Sequence, residues 1–256
     1  TLIVKEYNEK PCIGVYQSGI QNSEGFFVPI RNTNLESLNG NNHIIKNLAI
    51  KSFAVGEEGI SHSAGVFGYA KKSLQIKNIK LEDVSSQSFD YSYAGTLIGA
   101  ADNTVSIENV SICGDSTIYG GKGAGGFVGY TGGAETTIKE INCDGNLIVK
   151  GKNASGGIIG QTNQSKVTVD TVKFLSFLSK VEVTSDNTHA GGVIGISGGE
   201  AEIKNMTFKD VLTVRGANSS GGIIGSANGK VTVDRVTFDS DVTVTATSAN
   251  VHAGGI

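Results

Sequence analysis

Hydrophobic and polar residues alternate along most of this chain with a period of two, and the alternation recurs about every thirty residues. Apolar side chains fall two and four places before one recurring polar position: Val105 and Ile107 before Asn109, Val167 and Val169 before Thr171, Val231 and Val233 before Arg235. They also fall one and three places after it, as Ile141 and Cys143, Val172 and Phe174, Met206 and Phe208, Val236 and Phe238. Side chains of an extended strand point alternately to opposite faces, so this pattern predicts half-buried strands. A shorter strand follows, in LIV at 147–149, LTV at 212–214 and VTV at 242–244. No segment sustains the 3.6-residue period of a helix.

A second marker keeps the same beat. SAGVFG at 63–68, AGTLIG at 94–99, AGGFVG at 124–129, SGGIIG at 155–160, AGGVIG at 190–195 and SGGIIG at 220–225 are copies of one motif, and AGGI at 253–256 is a truncated seventh. The closing glycines, Gly68, Gly99, Gly129, Gly160, Gly195 and Gly225, are spaced by 31, 30, 31, 35 and 30 residues. Two markers with one period predict an all-β solenoid, specifically a right-handed parallel β-helix with rungs of about 30 residues. Seven rungs at the inter-strand spacing would span roughly 34 Å. Residues 1–35 read as an N-terminal cap or irregular first rung, and 36–256 as the repeats. The last rung is expected to be open, so that the native chain continues or this end stacks on another chain.

Stacking of equivalent residues predicts columns. One is a polar ladder of Asn47, Asn78, Asn109, Glu140, Thr171, Asn205 and Arg235, in which asparagine suits a left-handed bend and stacked amides can bond from rung to rung. Immediately before it run Lys46, Lys77, Glu108, Lys139, Asp170, Lys204 and Asp234, whose sign alternates from Lys77 onward. Each exposed pair would contribute only about 0.2–1 kcal/mol, so the column matters more for register than for stability. The rung 171–195 is longer than its neighbours, with about three extra residues in FLSFLSK at 174–180. Leu175, Phe177 and Leu178 there form a candidate partner-binding insertion, or a small side core of their own.

Composition narrows the class. The 256 residues include 36 glycines and only 2 prolines, and the net charge is −3. No basic cluster marks a nucleic-acid surface, and no apolar run is long enough to span a membrane. Cys12, Cys113 and Cys143 are too few and odd in number for a disulfide framework. A bridge between Cys113 and Cys143, one rung apart, is conceivable, but two small buried hydrophobes is the favoured reading.

The glycine motifs resemble those of the GLUG repeat family. GGFVG, GGIIG and GGVIG match its signature closely, and GVFG and GTLIG are degenerate copies. FFVPI at 26–30 followed by LNGNNHIIKNL at 38–48 is similar to the opening rung of such proteins, with Asn39 and Asn42 at the positions of their usual aspartate and glycine. The resemblance covers residues 26–256. It implies a β-helix on secreted bacterial or protist surface proteins, among them adhesins and non-catalytic regions of some immunoglobulin-cleaving metallopeptidases.

No catalytic constellation is apparent. The histidine-glutamate-x-x-histidine pattern of a metallopeptidase is missing. His62, His189 and His252 share a repeat position, and the last two would lie two rungs, roughly 9.6 Å, apart. That separation is too great for one zinc ion. No cofactor or metal is expected, and no enzyme. The expected function is an extracellular or cell-surface module, acting as adhesin, stalk or fibre segment. Its partner would be a host or neighbouring-cell surface protein or glycan. The alternative is a carbohydrate-binding or polysaccharide-degrading β-helix, for which Tyr69 and Tyr130, each following a closing glycine two rungs apart, are the candidate sugar-stacking residues. Ice binding is a minor alternative, resting on the column Ser106, Thr137, Thr168, Glu202, Thr232, which Glu202 interrupts.

Overall fold

A computed structural model describes residues 4–7, 10–13, 26–31, 35–52, 62–89, 91–176, 179–249 and 251–255 of the chain. Its repeating unit is a turn of four short strands, for example Val105–Cys113, Ser116–Gly120, Gly123–Gly125 and Val128–Thr131. Each strand pairs in parallel with its counterparts in the turns before and after, which gives three seven-stranded sheets and one of six strands. The result is a parallel β-solenoid of about six turns, with about 31 residues per turn. Val4–Tyr7 and Lys10–Ile13 form a separate antiparallel pair. The solenoid sheets begin upstream of residue 36, since Ile30 and Arg31 already pair with Phe67 and Tyr69.

The inward positions of the long strands make the core. Val105, Ile107, Val110 and Ile112 are buried, and each meets its equivalent on either side through the paired register. Cys143, Phe174, Phe208 and Phe238 continue the Ile112 column. Three of these residues form a ring stack, with centroids 4.5 Å apart for Phe174–Phe208 and 5.0 Å for Phe208–Phe238. Cys113 follows Ile112 and faces the other way, pairing with Asp144 while Cys143 is buried inward. Strand alternation therefore separates the two thiols, and both are free.

The closing glycines have a steric cause. A Cβ on Gly129 would lie 2.5 Å from the Gly99 carbonyl oxygen and 2.7 and 2.8 Å from the backbone oxygen and nitrogen of Ala94. Gly160 meets Gly129 and Ala124 in the same manner, and Gly195 meets Gly160 and Ser155. Two sheets of the turn thus pack backbone against backbone at this column, an approach that only glycine allows. The corner beyond it is polar but internally satisfied: the buried Thr131 hydroxyl contacts Thr136 at 2.7 Å and Ser165 at 3.1 Å.

The long turn deviates where the sequence places its insertion. Cys143 to Leu147 is four residues, whereas their partners Phe174 and Val181 are seven apart, so three residues are extra. A further residue enters at the next corner: Gly151 to Ala154 is three residues and Ser185 to His189 is four.

Candidate functional site

The outward side chains of the long strands form the most regular polar surface. Lys139 stands between Glu108 and Asp170, Lys77 pairs with Glu108, and Lys204 stands between Asp170 and Asp234. The ammonium of Lys139 lies 3.0 Å from Glu108, and that of Lys204 lies 3.9 Å from Asp170 and 3.0 Å from Glu202. Asp234 bonds its own neighbour Arg235 at 2.7 Å. Burial pushes the Asp170 carboxyl up, but hydrogen bonds from Asn205 and Thr171 and the charge of Lys204 outweigh it and hold the group below its usual range. Neighbouring turns thus neutralise one another, and the column presents no surplus charge to a ligand.

The adjacent ladder is a column of left-handed residues. Asn78, Asn109, Glu140, Thr171, Asn205 and Arg235 all have φ between 52° and 57°. Asn109 donates its amide to Asn78 at 2.7 Å, and Asn78 donates to Asn39 at 3.1 Å. Asn205 donates instead to Asp170, and Arg235 to Asn205, each at 2.7 Å. Asn47 is not in this ladder, contrary to the sequence expectation. Asn39 faces Lys77 and His43 faces Ile79, so Gly40, Asn41 and Asn42 together oppose Asn78 as a bulge. IKNL at 45–48 consequently lies against LEDV at 81–84, not against IKNI at 76–79, and Lys46 bonds Glu82 at 2.9 Å. Asn47, with φ of 53°, takes the next corner, which Asp83 and Gly114 also turn with positive φ. That corner carries its own ladder, unseen in the sequence. Asp83 accepts from the Asp115 backbone at 2.9 Å, Asp115 from the Asn146 amide at 2.7 Å, and Asn146 from the Lys180 backbone at 3.0 Å.

Tyr69 and Tyr130 are two turns apart, both in register with Ala100. Neither offers a bare ring. Tyr69 is buried, its hydroxyl donates to Asp102, and burial followed by that bond pushes its pKa up to about 12. Tyr130 stacks on Tyr93, with centroids 4.8 Å apart. The Tyr93 ring crosses Gly123, and its hydroxyl donates to Gln161, two turns on, at 3.2 Å. The stacked pair Tyr93–Tyr130, tied on to Gln161, is a structural brace, and Tyr93 has no marker in the sequence beyond sharing the histidine position.

Leu175 is 36% exposed and Val211, beside the insertion, 39%. Phe177 and Leu178 lie outside the described residues. Asp210, next to Val211, is fully buried, and neither carboxylate oxygen has a well-formed hydrogen bond. Burial, with Asp144 adding to it, pushes this carboxyl up to about 6, against the opposing effect of the Ser176 backbone N–H. A sealed acid has no open route to a substrate. Among the described residues no group of three or more His, Cys, Asp and Glu side chains could hold a metal ion. Nor is any helix there long and apolar enough to cross a membrane.

One open cleft differs from the neutral columns. It lies at the corner between the strands Ser116–Gly120 and Gly123–Gly125 and has a volume of about 490 Å³. Tyr91, Gly121, Lys122, Lys152, Asn153 and Asn187 line it. Successive turns fix these residues by backbone bonds: Lys122 N–H donates to Ser92, Asn153 to Lys122, and Asn187 to Lys152, at 2.8, 2.8 and 2.7 Å.

Among the described residues these features define a four-sheet parallel solenoid without α-helix, whose polar columns are largely self-compensated. No family model and no curated protein matches the chain, so the GLUG resemblance rests on its motifs alone. Among solved structures, the chain is similar to one described as a putative immunoglobulin A1 protease from Bacteroides ovatus, with 16% identity and a TM-score of 0.47, covering 84% of this chain and 68% of that one. The solenoid assignment stands on this chain's own strand register.

Proposed function

We propose that the chain is a non-catalytic module of a cell surface, serving as a rigid adhesive or spacing segment in the extracellular space. The carrying observation is the charge column Lys77–Glu108–Lys139–Asp170–Lys204–Asp234. Its acids are answered by lysines in neighbouring turns rather than gathered into a reactive pair. General acid–base chemistry needs two titrating groups facing one substrate position, and in this column each acid faces a lysine of a neighbouring turn instead. A solenoid whose strands pair from turn to turn also transmits load along its axis, and its corners are free to vary in sequence for recognition. The GLUG-like motifs support the same reading.

Beads coated with the purified chain test it directly. Retention on epithelial monolayers or on bacterial lawns, well above that of albumin-coated beads, is the expected result. Background retention on every surface, or release of reducing ends or peptide fragments from those surfaces, would overturn the proposal.

A further inference from the structure

The cleft at Tyr91 has the makings of a recognition site. Tyr91 is 59% exposed and holds φ of +63°, a left-handed conformation that is unusual for a bulky side chain. Ser92, Lys122 and Asn153 follow one another through the backbone bonds of successive turns, so the residues just before them, Tyr91, Gly121 and Lys152, form the neighbouring column. Gly121 contributes no side chain to that column. Tyr91 and Lys152 are therefore separated by two strand spacings, about 9.6 Å, with a gap between them. A flat ring held within van der Waals distance of the tyrosine, roughly 3.5–4 Å, fits such a gap.

We propose that this cleft binds an acidic saccharide, a sugar unit bearing a carboxylate or a sulfate. The phenol ring offers an apolar face to the C–H side of a pyranose and a hydroxyl at its wet end. Asn153 and Asn187, whose side-chain amide donates a hydrogen bond to the Asn153 oxygen at 3.1 Å, present further donors and acceptors suited to vicinal hydroxyls. Lys122, whose ammonium lies 5.3 Å from the centre of the Tyr93 ring, and Lys152 line the same opening and supply charge-assisted bonds to an anion. Strained backbone at an exposed aromatic is a feature that a fold retains where the side chain has work to do. The inference holds whether or not the chain is displayed on a cell, so its failure leaves the surface-module proposal standing.

Calorimetric titration of the whole chain with a heparin hexasaccharide, a galacturonate hexamer and maltohexaose is the test. Binding of either acidic probe, weakening with added salt, is expected, and the stronger of the two identifies the acid group. Tyr91→Gly and Lys122→Gln should each weaken it at least tenfold. Tyr91→Gly should do so with an unchanged or higher melting temperature, since glycine accepts the left-handed backbone. Lys173→Gln, on the long sheet and outside the cleft, should leave affinity unaltered. Four results would each overturn the proposal: no heat with either acidic probe at low salt, equal binding of maltohexaose, undiminished affinity in Lys122→Gln, or equal loss in Lys173→Gln.

Discussion

Left-handed residues at the polar corner set a local conflict between backbone and side chain. Thr171 holds φ of 56° in the column that Asn78, Asn109 and Asn205 also occupy. A left-handed conformation costs an ordinary residue roughly 1–2 kcal/mol, and a branched Cβ makes it worse, whereas asparagine is the side chain that tolerates it. Thr171→Asn is therefore expected to stabilise the fold by about 1 kcal/mol, measured by urea unfolding; a destabilised variant would show that the Thr171–Asp170 hydrogen bond outweighs the backbone strain. Asp210 sets a second conflict, because its carboxyl is raised to about 6 by burial. The native state then keeps a proton that the unfolded chain, with an ordinary carboxyl near 4, has released. Stability should fall as pH rises from about 4 to 6 and stay reduced above that, the opposite of a salt-bridged acid. Asp210→Asn should flatten that segment of the pH profile and add about 2 kcal/mol at pH 8. An unchanged profile in thermal melts would assign the pH dependence elsewhere.

Strands show which signals a sequence carries. The thirty-residue beat, the inward apolar positions and the alternating charges were legible because the register between turns is constant from Leu74 to Phe238, apart from the insertion. The first turn departs from its sequence pattern at Asn47, because IKNL at 45–48 looks more like IKNI at 76–79 than like LEDV at 81–84. Only the bulge at Gly40–Asn42 decides between them. The repeat position marks Tyr69 and Tyr130 as residues but not the stack on Tyr130, because the ring that covers it, Tyr93, comes from a different sheet. The cleft at Tyr91 has no signal in the sequence, since its lining residues differ from turn to turn and no periodicity marks them. The phenylalanine column, by contrast, was visible as Phe174, Phe208 and Phe238 at one repeat position. Phe208 is fully buried with a ring stacked on each side. Phe208→Ala removes the ring and both stacks, so a loss of about 4 kcal/mol is expected, while Phe208→Leu should lose less than half as much. Similar values for the two variants, by chemical denaturation, would mean that the stack adds nothing beyond volume.

At the scale of the whole molecule, each turn touches its two neighbours, and contacts reaching further are the exception, such as Tyr93 to Gln161. Stability in such a chain is close to a sum of turn and interface terms, so cooperativity survives only while every interface is strong enough to couple the turns on either side. Gly160 is the place to cut that coupling. A Cβ there would meet the Gly129 carbonyl at 2.5 Å and the Ala124 backbone at 2.7 and 2.8 Å, all of it main chain that cannot swing aside. Gly160→Val should thus open one interface near the middle of the solenoid while leaving the packing of Val105–Ile112 and of Met206–Phe208 intact. Overpacking of this kind costs typically 1–3 kcal/mol and more where backbone must move. If the coupling is nearest-neighbour, calorimetry of the native chain gives one transition and Gly160→Val gives two, with hydrogen exchange rising first around residues 124–160. A single transition merely shifted downward, with protection lost evenly from end to end, would mean that the solenoid folds as one indivisible unit and that its core, rather than its turn-to-turn interfaces, sets the cooperativity.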